Sequence, residues 1–303
     1  MKLRAARRLA ALSPRRRLLV SASLLLVAVL LAVGALRAVQ GGDATAARDP
    51  GAAQPGESRP GVPATAAGSP GASRPGRSQH VAVILVPGYG GNTRSLRTLA
   101  ERIRAAGDTA TIVTLPSAGT GDLRAQADVL NGYVDGALRD GGGAVVDVIG
   151  YSAGGVVARL WDVQHDGASK VARIITLGSP LHGAELAAAG TAVDPAACPV
   201  ACQQLVPGSS LLTGLARIPF TGKPAWLSLW TVNDQTVRPP DSARLPGAVN
   251  VPLQNVCPGA VIQHGQLPSN PLVVGIVLRG IGPAPLTAPT TTDCGALRAL
   301  GSS

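Results

Sequence analysis

The sequence predicts an α/β fold: a mostly parallel central sheet with helices on both faces and one small inserted cap. Three observations carry this reading. Short aliphatic runs alternate with amphipathic stretches of helical length, the runs end in turns rich in Gly and Pro, and a serine set among glycines follows the third run without a spacer. Strands alternating with helices in this way build a parallel sheet.

Val81 to Val86 is a six-residue aliphatic run closed by Pro87-Gly88, the pattern of a strand buried on both faces. Asn92 or Thr93 can cap a following helix whose Leu96, Leu99 and Ile103 share a face, and Gly107 can end it. Thr109 to Leu115 reads as a second strand, and after Gly119-Thr120-Gly121 comes a helix carrying Leu123, Leu130, Val134 and Leu138. Val145 to Ile149 predicts the third strand, followed by Gly150-Tyr151-Ser152-Ala153-Gly154-Gly155 and a helix through Trp161. Ala172 to Leu177 and Trp226 to Val232 read as two more strands. Residues 183–225 break the alternation. They are too long for an ordinary connection and predict a partly helical cap or lid near the site.

Composition changes twice along the chain and divides it. Residues 1–17 carry seven cations and no acid, and the 19 residues 18–36 are uncharged and mainly apolar. At roughly 1.5 Å per residue such a run reaches about 28 Å, close to the hydrocarbon thickness of a bilayer. It predicts a signal-anchor; a cleaved signal peptide, cut near Ala44-Thr45-Ala46, is the alternative. Either way the basic flank stays in the cytoplasm and the rest is extracytoplasmic, held to the membrane by its amino terminus or released from it. Residues 37–79, rich in Pro, Gly and Ala, have too little apolar surface to offset ordering entropy and read as a disordered linker. Residues 80–303 are then one catalytic-sized domain.

The formal charge of +10 belongs to the amino terminus: residues 78–303 hold 15 cations against 14 acids. A nearly neutral domain with no basic stripe argues against a nucleic-acid partner, and nothing in the sequence assigns an oligomeric state. Cys198, Cys202, Cys257 and Cys294 all follow the membrane segment. An even count in an exported domain predicts two disulfides. Cysteines four apart can bridge locally, which pairs Cys198 with Cys202 and leaves Cys257 for Cys294. Zinc is disfavoured because Cys198 and Cys202 have no second close pair or His pair beside them.

A serine hydroxyl needs a base, a group to orient that base, and donors for the oxyanion before it can act as a nucleophile. Ser152 lies between an aliphatic strand and a helix, the setting of a nucleophile elbow, with glycines where the tight turn requires small residues. The loop Pro87-Gly88-Tyr89-Gly90-Gly91 also joins strand to helix. The amide of Tyr89, with the register open by one residue, and that of Ala153 are the candidate oxyanion donors. Four histidines compete for the base. His80 opens the first strand, His165 ends a helix and His182 follows the fourth strand, whereas His264 leaves room for an acid between itself and Ser152, as the order Ser, acid, His demands. Asp234, at the end of the strand through Val232, is the expected acid. Asp241 beyond Pro239-Pro240 is the reserve, and Asp194 falls in the cap.

With these pieces in place the chain resembles bacterial extracellular lipases and esterases of the α/β-hydrolase superfamily, particularly the small actinobacterial type. The matching motifs are Val-Pro-Gly-Tyr-Gly-Gly at 86–91, Gly-Tyr-Ser-Ala-Gly-Gly at 150–155, Thr-Leu-Gly-Ser-Pro-Leu-His-Gly at 176–183, Asn-Asp-Gln-Thr-Val at 233–237 and His264. Tyr151 and Pro87 stand where many relatives have His, but neither replaces a chemical group, since the oxyanion donors are backbone amides. The resemblance implies hydrolysis of carboxylic esters, commonly acylglycerols or other lipid esters, with no metal or organic cofactor. An acyltransferase or thioesterase on the same three residues is the alternative function, and a non-catalytic cell-surface binding module the more distant one.

Overall fold

The computed structural model describes residues 80–141, 145–282 and 284–303. The segments read as a cytoplasmic basic stretch, a membrane anchor or signal and a linker lie outside the described residues. Among the described residues no helix is long and apolar enough to cross a membrane.

Six strands form one sheet in the order β2-β1-β3-β4-β5-β6. They are β1 (Val81–Val86), β2 (Thr109–Ile112), β3 (Val145–Tyr151), β4 (Arg173–Leu177), β5 (Ala225–Trp230) and β6 (Val249–Pro252), and every neighbouring pair is parallel. The sheet is therefore wholly parallel where a mostly parallel one is expected, and β6 is an addition to the five predicted strands. The fold is that of an α/β hydrolase.

Alternation along β1 decides which side chains meet which helices. Val81, Val83 and Leu85 join a cluster with Leu96, with Leu99 and Ile103 of the helix Arg97–Ala105 and with Leu272, Val273 and Ile276 of the helix Pro271–Gly280. Ala82, Ile84 and Val86 face the opposite cluster, built from the helices Leu123–Asp140 and Ala153–Gln164. Two covered faces explain why β1 reads as an unbroken aliphatic run. The first helix opens with a 3-10 turn, Thr93–Leu96, whose Asn92 side chain accepts the Arg94 amide hydrogen. Leu138, in the last turn of the helix Leu123–Asp140, is 39 % exposed, whereas Leu123, Leu130 and Val134 are buried.

Buried charges tie the chain after Pro271–Gly280 to the sheet. Arg173 donates to the Gly280 and Ala284 carbonyls, and Asp147 on the adjacent strand accepts the Gly282 amide hydrogen at 2.8 Å. The two side chains lie 3.9 Å apart.

The segment between β4 and β5 is partly helical, as expected of a cap, with helices Glu185–Val193, Val200–Gln204 and Ser210–Ala216. Ala201, Leu205, Leu211, Leu212 and Leu215 anchor it in the second cluster. Gln204 adds polar ties, accepting from the Leu123 amide and donating to Asp122 at the start of the helix Leu123–Asp140. Glu185–Val193, by contrast, has no buried residue.

Both disulfides form, Cys198–Cys202 with Cα atoms 5.5 Å apart and Cys257–Cys294 with Cα atoms 5.3 Å apart. Cys198 precedes its helix and Cys202 lies within it, rather than both on one helical turn. Their sequence separations, 4 and 37, make unequal contributions. Loop-closure entropy gives about 2 kcal/mol for the short loop and about 4 kcal/mol for the long one. Cys294→Ser is thus expected to lower the melting temperature by on the order of 10 °C and Cys202→Ser by about half as much. Scanning calorimetry checks the ranking, and equal or reversed losses would contradict it.

Candidate active site

The chain runs from β1 outward to β2, then returns past β1 to β3. The carboxyl ends of β1 and β3 therefore flank the point where the winding reverses, the place at which open α/β sheets keep their sites. Ser152 stands there, directly after β3 and before the helix Ala153–Gln164, with φ 54° and ψ −128°. Positive φ in a non-glycine residue is costly and persists when the surroundings impose it. Here the Ser152 amide donates to the Leu177 carbonyl at 2.9 Å and the Gly155 amide to the Ser152 carbonyl at 3.0 Å, which pins the elbow on both sides. A Cβ at Gly150 would come within 2.6 Å of the Gly155 nitrogen, and one at Gly154 would run into the Val86 and Pro87 carbonyls. The glycines are thus required by contact.

His264 begins a 3-10 turn, His264–Gln266, and its ring reaches both partners. Nε2 is 3.0 Å from Ser152 Oγ, and Nδ1 is 2.7 Å from Asp234 Oδ2. A carboxylate only accepts, so Nδ1 carries the proton and Nε2 offers its lone pair to the serine hydroxyl. Asp234 is 1 % exposed, and its other oxygen, Oδ1, accepts the Thr236 and Val237 amide hydrogens, each at 2.8 Å. A buried carboxylate is tolerable when its oxygens are satisfied in this way.

Asp234 does not end a strand. β5 stops at Trp230, and Thr231, Val232 and Asn233 turn the chain before Asp234, whose amide donates to the Thr231 carbonyl. Asp241 is exposed on the 3-10 turn Pro240–Ala243, whose Ser242 and Ala243 are buried, and Asp194 is exposed at the end of a cap helix, where its side chain accepts the Ala196 amide hydrogen. The other histidines are engaged elsewhere: His80 with the Gly107 carbonyl, His165 with Asp128, and His182 with the Ser242 carbonyl. Among the described residues two α-helices follow His264, Pro271–Gly280 and Cys294–Ser302.

Gly88 packs directly on the nucleophile: a Cβ there would be 2.8 Å from Ser152 Cβ. Tyr89 is the next residue along the chain, and Ala153 opens the first turn of the helix that follows Ser152. Gly178 lies beneath the other pair, since a Cβ there would sit 3.2 Å from His264 Nδ1 and 3.3 Å from Asp234 Oδ2. Tyr151 donates its hydroxyl hydrogen to the His264 carbonyl at 3.2 Å, and the two rings lie 5.2 Å apart. Burial, with the Asp234 charge second, pushes the Tyr151 phenol up to about 12, so it remains a donor at any working pH. Gly88 and Tyr151 belong to motifs legible in the sequence, whereas the closeness of Gly178 to the acid and base is set by strands distant in the chain.

A cavity of about 740 Å³, lined by His80, Thr109, Tyr133 and Asp140 among others, opens between β1, β2 and the later turns of Leu123–Asp140. It contains none of Ser152, Asp234 or His264, so this hollow and the polar constellation are separate features.

The profile of the PGAP1-like alpha/beta domain matches residues 117–194, which include β3, Ser152 and β4. No curated protein matches the chain. Among solved structures, lipase B of Aspergillus fumigatus superposes with a TM-score of 0.57 at 18% identity, over 73% of this chain and 61% of that one. The chain thus spans about three fifths of that lipase's length. Bacillus licheniformis lipase BlEst2 in its mature form gives a TM-score of 0.50 at 19% identity, over 58% of this chain and 83% of that one. Its propeptide form gives 0.55 at 20% identity, over 70% and 53%. At these identities the likeness is one of fold.

Proposed function

We propose that this chain hydrolyses carboxylic esters, with lipid esters as the substrate class, through an acyl-enzyme formed on Ser152. The observation that carries the proposal is the unbroken relay from Ser152 Oγ to His264 Nε2, 3.0 Å, and from His264 Nδ1 to Asp234 Oδ2, 2.7 Å. Ser152 Oγ attacks the ester carbonyl carbon as its proton passes to Nε2, and Asp234 stabilises the imidazolium. The amides of Tyr89 and Ala153 receive the oxyanion, a contribution on the order of 10²–10³ in turnover per donor. The C–O bond then breaks, the departing alkoxide takes the proton from Nε2, and water, activated by the same imidazole, releases the acid.

The distribution of exposed apolar side chains supports a lipid substrate. Tyr89, Leu186, Val193, Val200, Val232 and Val261 are all exposed, and each stands in a segment that follows the carboxyl end of β1, β4, β5 or β6. Of these, Tyr89 follows Gly88, which packs on Ser152, and Val232 and Val261 stand shortly before Asp234 and His264 in the chain, so exposed apolar side chains border the proposed site. The names of the structural neighbours, lipases in each case quoted, favour the same class. The basic segment 1–17 and the apolar segment 18–36 hold the domain at, or export it across, a membrane, which agrees with two disulfides in an oxidising compartment.

The test is a fluorophosphonate probe followed by peptide mapping, together with hydrolysis of nitrophenyl esters of increasing chain length. Expected are a single label at Ser152 and turnover that rises from acetyl to medium-chain esters. Absence of both label and turnover would refute the proposal, and release of product only when an alcohol acceptor is added would redirect it to acyl transfer.

A further inference from the structure

The segment that presents His264 is held by side chains rather than by a strand ladder. Three alternate carbonyls, those of Ala260, Ile262 and His264, each accept a side-chain donor: Gln254 Nε2 at 2.9 Å, Thr231 Oγ1 at 2.7 Å and the Tyr151 hydroxyl at 3.2 Å. Thr231 is the centre of this arrangement. Its hydroxyl donates to Ile262 and accepts from Gln254 Nε2 at 3.1 Å and from the Asn233 amide at 3.2 Å. All three hydrogen-bonding positions of the hydroxyl are thereby used, in a residue that is 0 % exposed. Gln254 completes the link: its oxygen accepts the Val232 amide hydrogen at 3.0 Å, and its NH₂ group shares two hydrogens among three acceptors, the Ala260 carbonyl, Thr231 Oγ1 and, at 3.1 Å, Asn233 Oδ1.

The two loops so joined are the ones that carry the acid and the base. Thr231, Val232 and Asn233 lead straight into Asp234, and Ala260 and Ile262 lead into His264. No backbone ladder fixes their separation, since β5 ends at Trp230 and β6 ends at Pro252. We infer that Thr231, supported by Gln254, is a positioning residue that sets the 2.7 Å contact between Asp234 Oδ2 and His264 Nδ1. The inference rests on the reading of Ser152, His264 and Asp234 as the working set. It adds that their alignment depends on a hydroxyl that touches neither substrate nor reacting atom. Neither loop is long, so a shift of one by a fraction of an ångström would pass undamped to the imidazole.

Thr231→Val keeps the shape and removes the hydroxyl, while Thr231→Ser keeps the hydroxyl and removes a methyl. Expected is a fall in kcat on the order of tenfold to a hundredfold in Thr231→Val, the scale of a small misplacement of reacting groups, with KM unchanged and with recovery in Thr231→Ser. A second readout is the downfield proton resonance of His264 Nδ1–H, which reports the contact with Asp234 whether or not any ester is cleaved. It should broaden or vanish in Thr231→Val and persist in Thr231→Ser, with His264→Ala as the blank. Should Thr231→Val fold poorly, Gln254→Leu supplies the second test, because it removes the side chain that supports the Thr231 hydroxyl; a weakened resonance is expected, and an intact one with normal kcat would count against the inference. Normal kcat and an intact resonance in Thr231→Val, or equal losses in Thr231→Val and Thr231→Ser, would overturn the inference. If no ester is cleaved yet the resonance disappears in Thr231→Val, the clamp stands and the proposed reaction is what fails.

Discussion

Ser152→Ala is expected to reduce ester turnover by roughly a millionfold, leaving only the residual catalysis of about 10³–10⁴ over water that binding and oxyanion donors supply by themselves. The size of the loss follows from the geometry. Ser152 Oγ is the atom 3.0 Å from the lone pair of His264 Nε2, and no other hydroxyl among the contacts of that ring can replace it. The fold should not notice. Alanine has nearly the same tolerance of the φ of 54° at this position as serine, and the lost hydroxyl leaves His264 Nε2 facing a partly exposed site where water can satisfy it. The measurement is kcat of the purified variant beside its melting temperature and its labelling by fluorophosphonate. Turnover within tenfold of the parent, in a preparation free of parent enzyme, would remove Ser152 from the mechanism.

How much of this was readable in the residues depends on how local each feature is. β1 could be read because both its faces are covered, which leaves a run of six aliphatic side chains with no polar interruption. The elbow could be read because strand, serine and glycines are consecutive. β6 could not: Val249–Pro252 has four residues, one of them Asn250, whose side chain turns back to the Leu245 amide and the Leu245 and Ala248 carbonyls. Its place beside β5 is set by pairing across the sheet. β5 ends earlier than its apolar residues suggest, for a different reason. Val232 is aliphatic yet 54 % exposed, in the turn that leads from Trp230 to Asp234, and apolar content alone extends the strand two residues too far.

The site shows the same division. His264 was reachable through chain order, which limits where a base can stand once the serine and acid are fixed. The supports of the histidine were not reachable that way. Tyr151 and His264 are 113 residues apart in sequence, and Thr231 and Ile262 are 31 apart. Nothing in a run of residues says that these pairs will touch until the strand order puts the ends of β3, β5 and β6 in position. Gly178 is similar: its sequence context marks a turn, while its contact with both Asp234 and His264 depends on β4 lying between β3 and β5.

The acid offers the sharpest discrimination. In Asp234→Asn the side-chain oxygen and nitrogen are not free to choose their places, because the Thr236 and Val237 amides both donate to Asp234 Oδ1 at 2.8 Å and require an acceptor there. The amide oxygen must therefore take the Oδ1 position, and the NH₂ group falls where Oδ2 faces His264 Nδ1. A donor at that point selects the imidazole tautomer protonated on Nε2, which presents a hydrogen rather than a lone pair to Ser152 Oγ. The base is lost although every heavy atom stays in place. Turnover should fall by about 10⁴ at neutral pH, the scale seen when a triad acid becomes its amide elsewhere, with substrate affinity and melting temperature nearly unchanged, since both backbone donors keep their acceptor. Asp241→Asn should be almost silent, because Asp241 is exposed in the turn Pro240–Ala243 and the His264 ring has its partner in Asp234. Parallel kinetics of the two variants decide the matter: an inactive Asp241→Asn beside an active Asp234→Asn would mean that the working enzyme draws its carboxylate from the turn and that the 2.7 Å contact is not the one used in turnover.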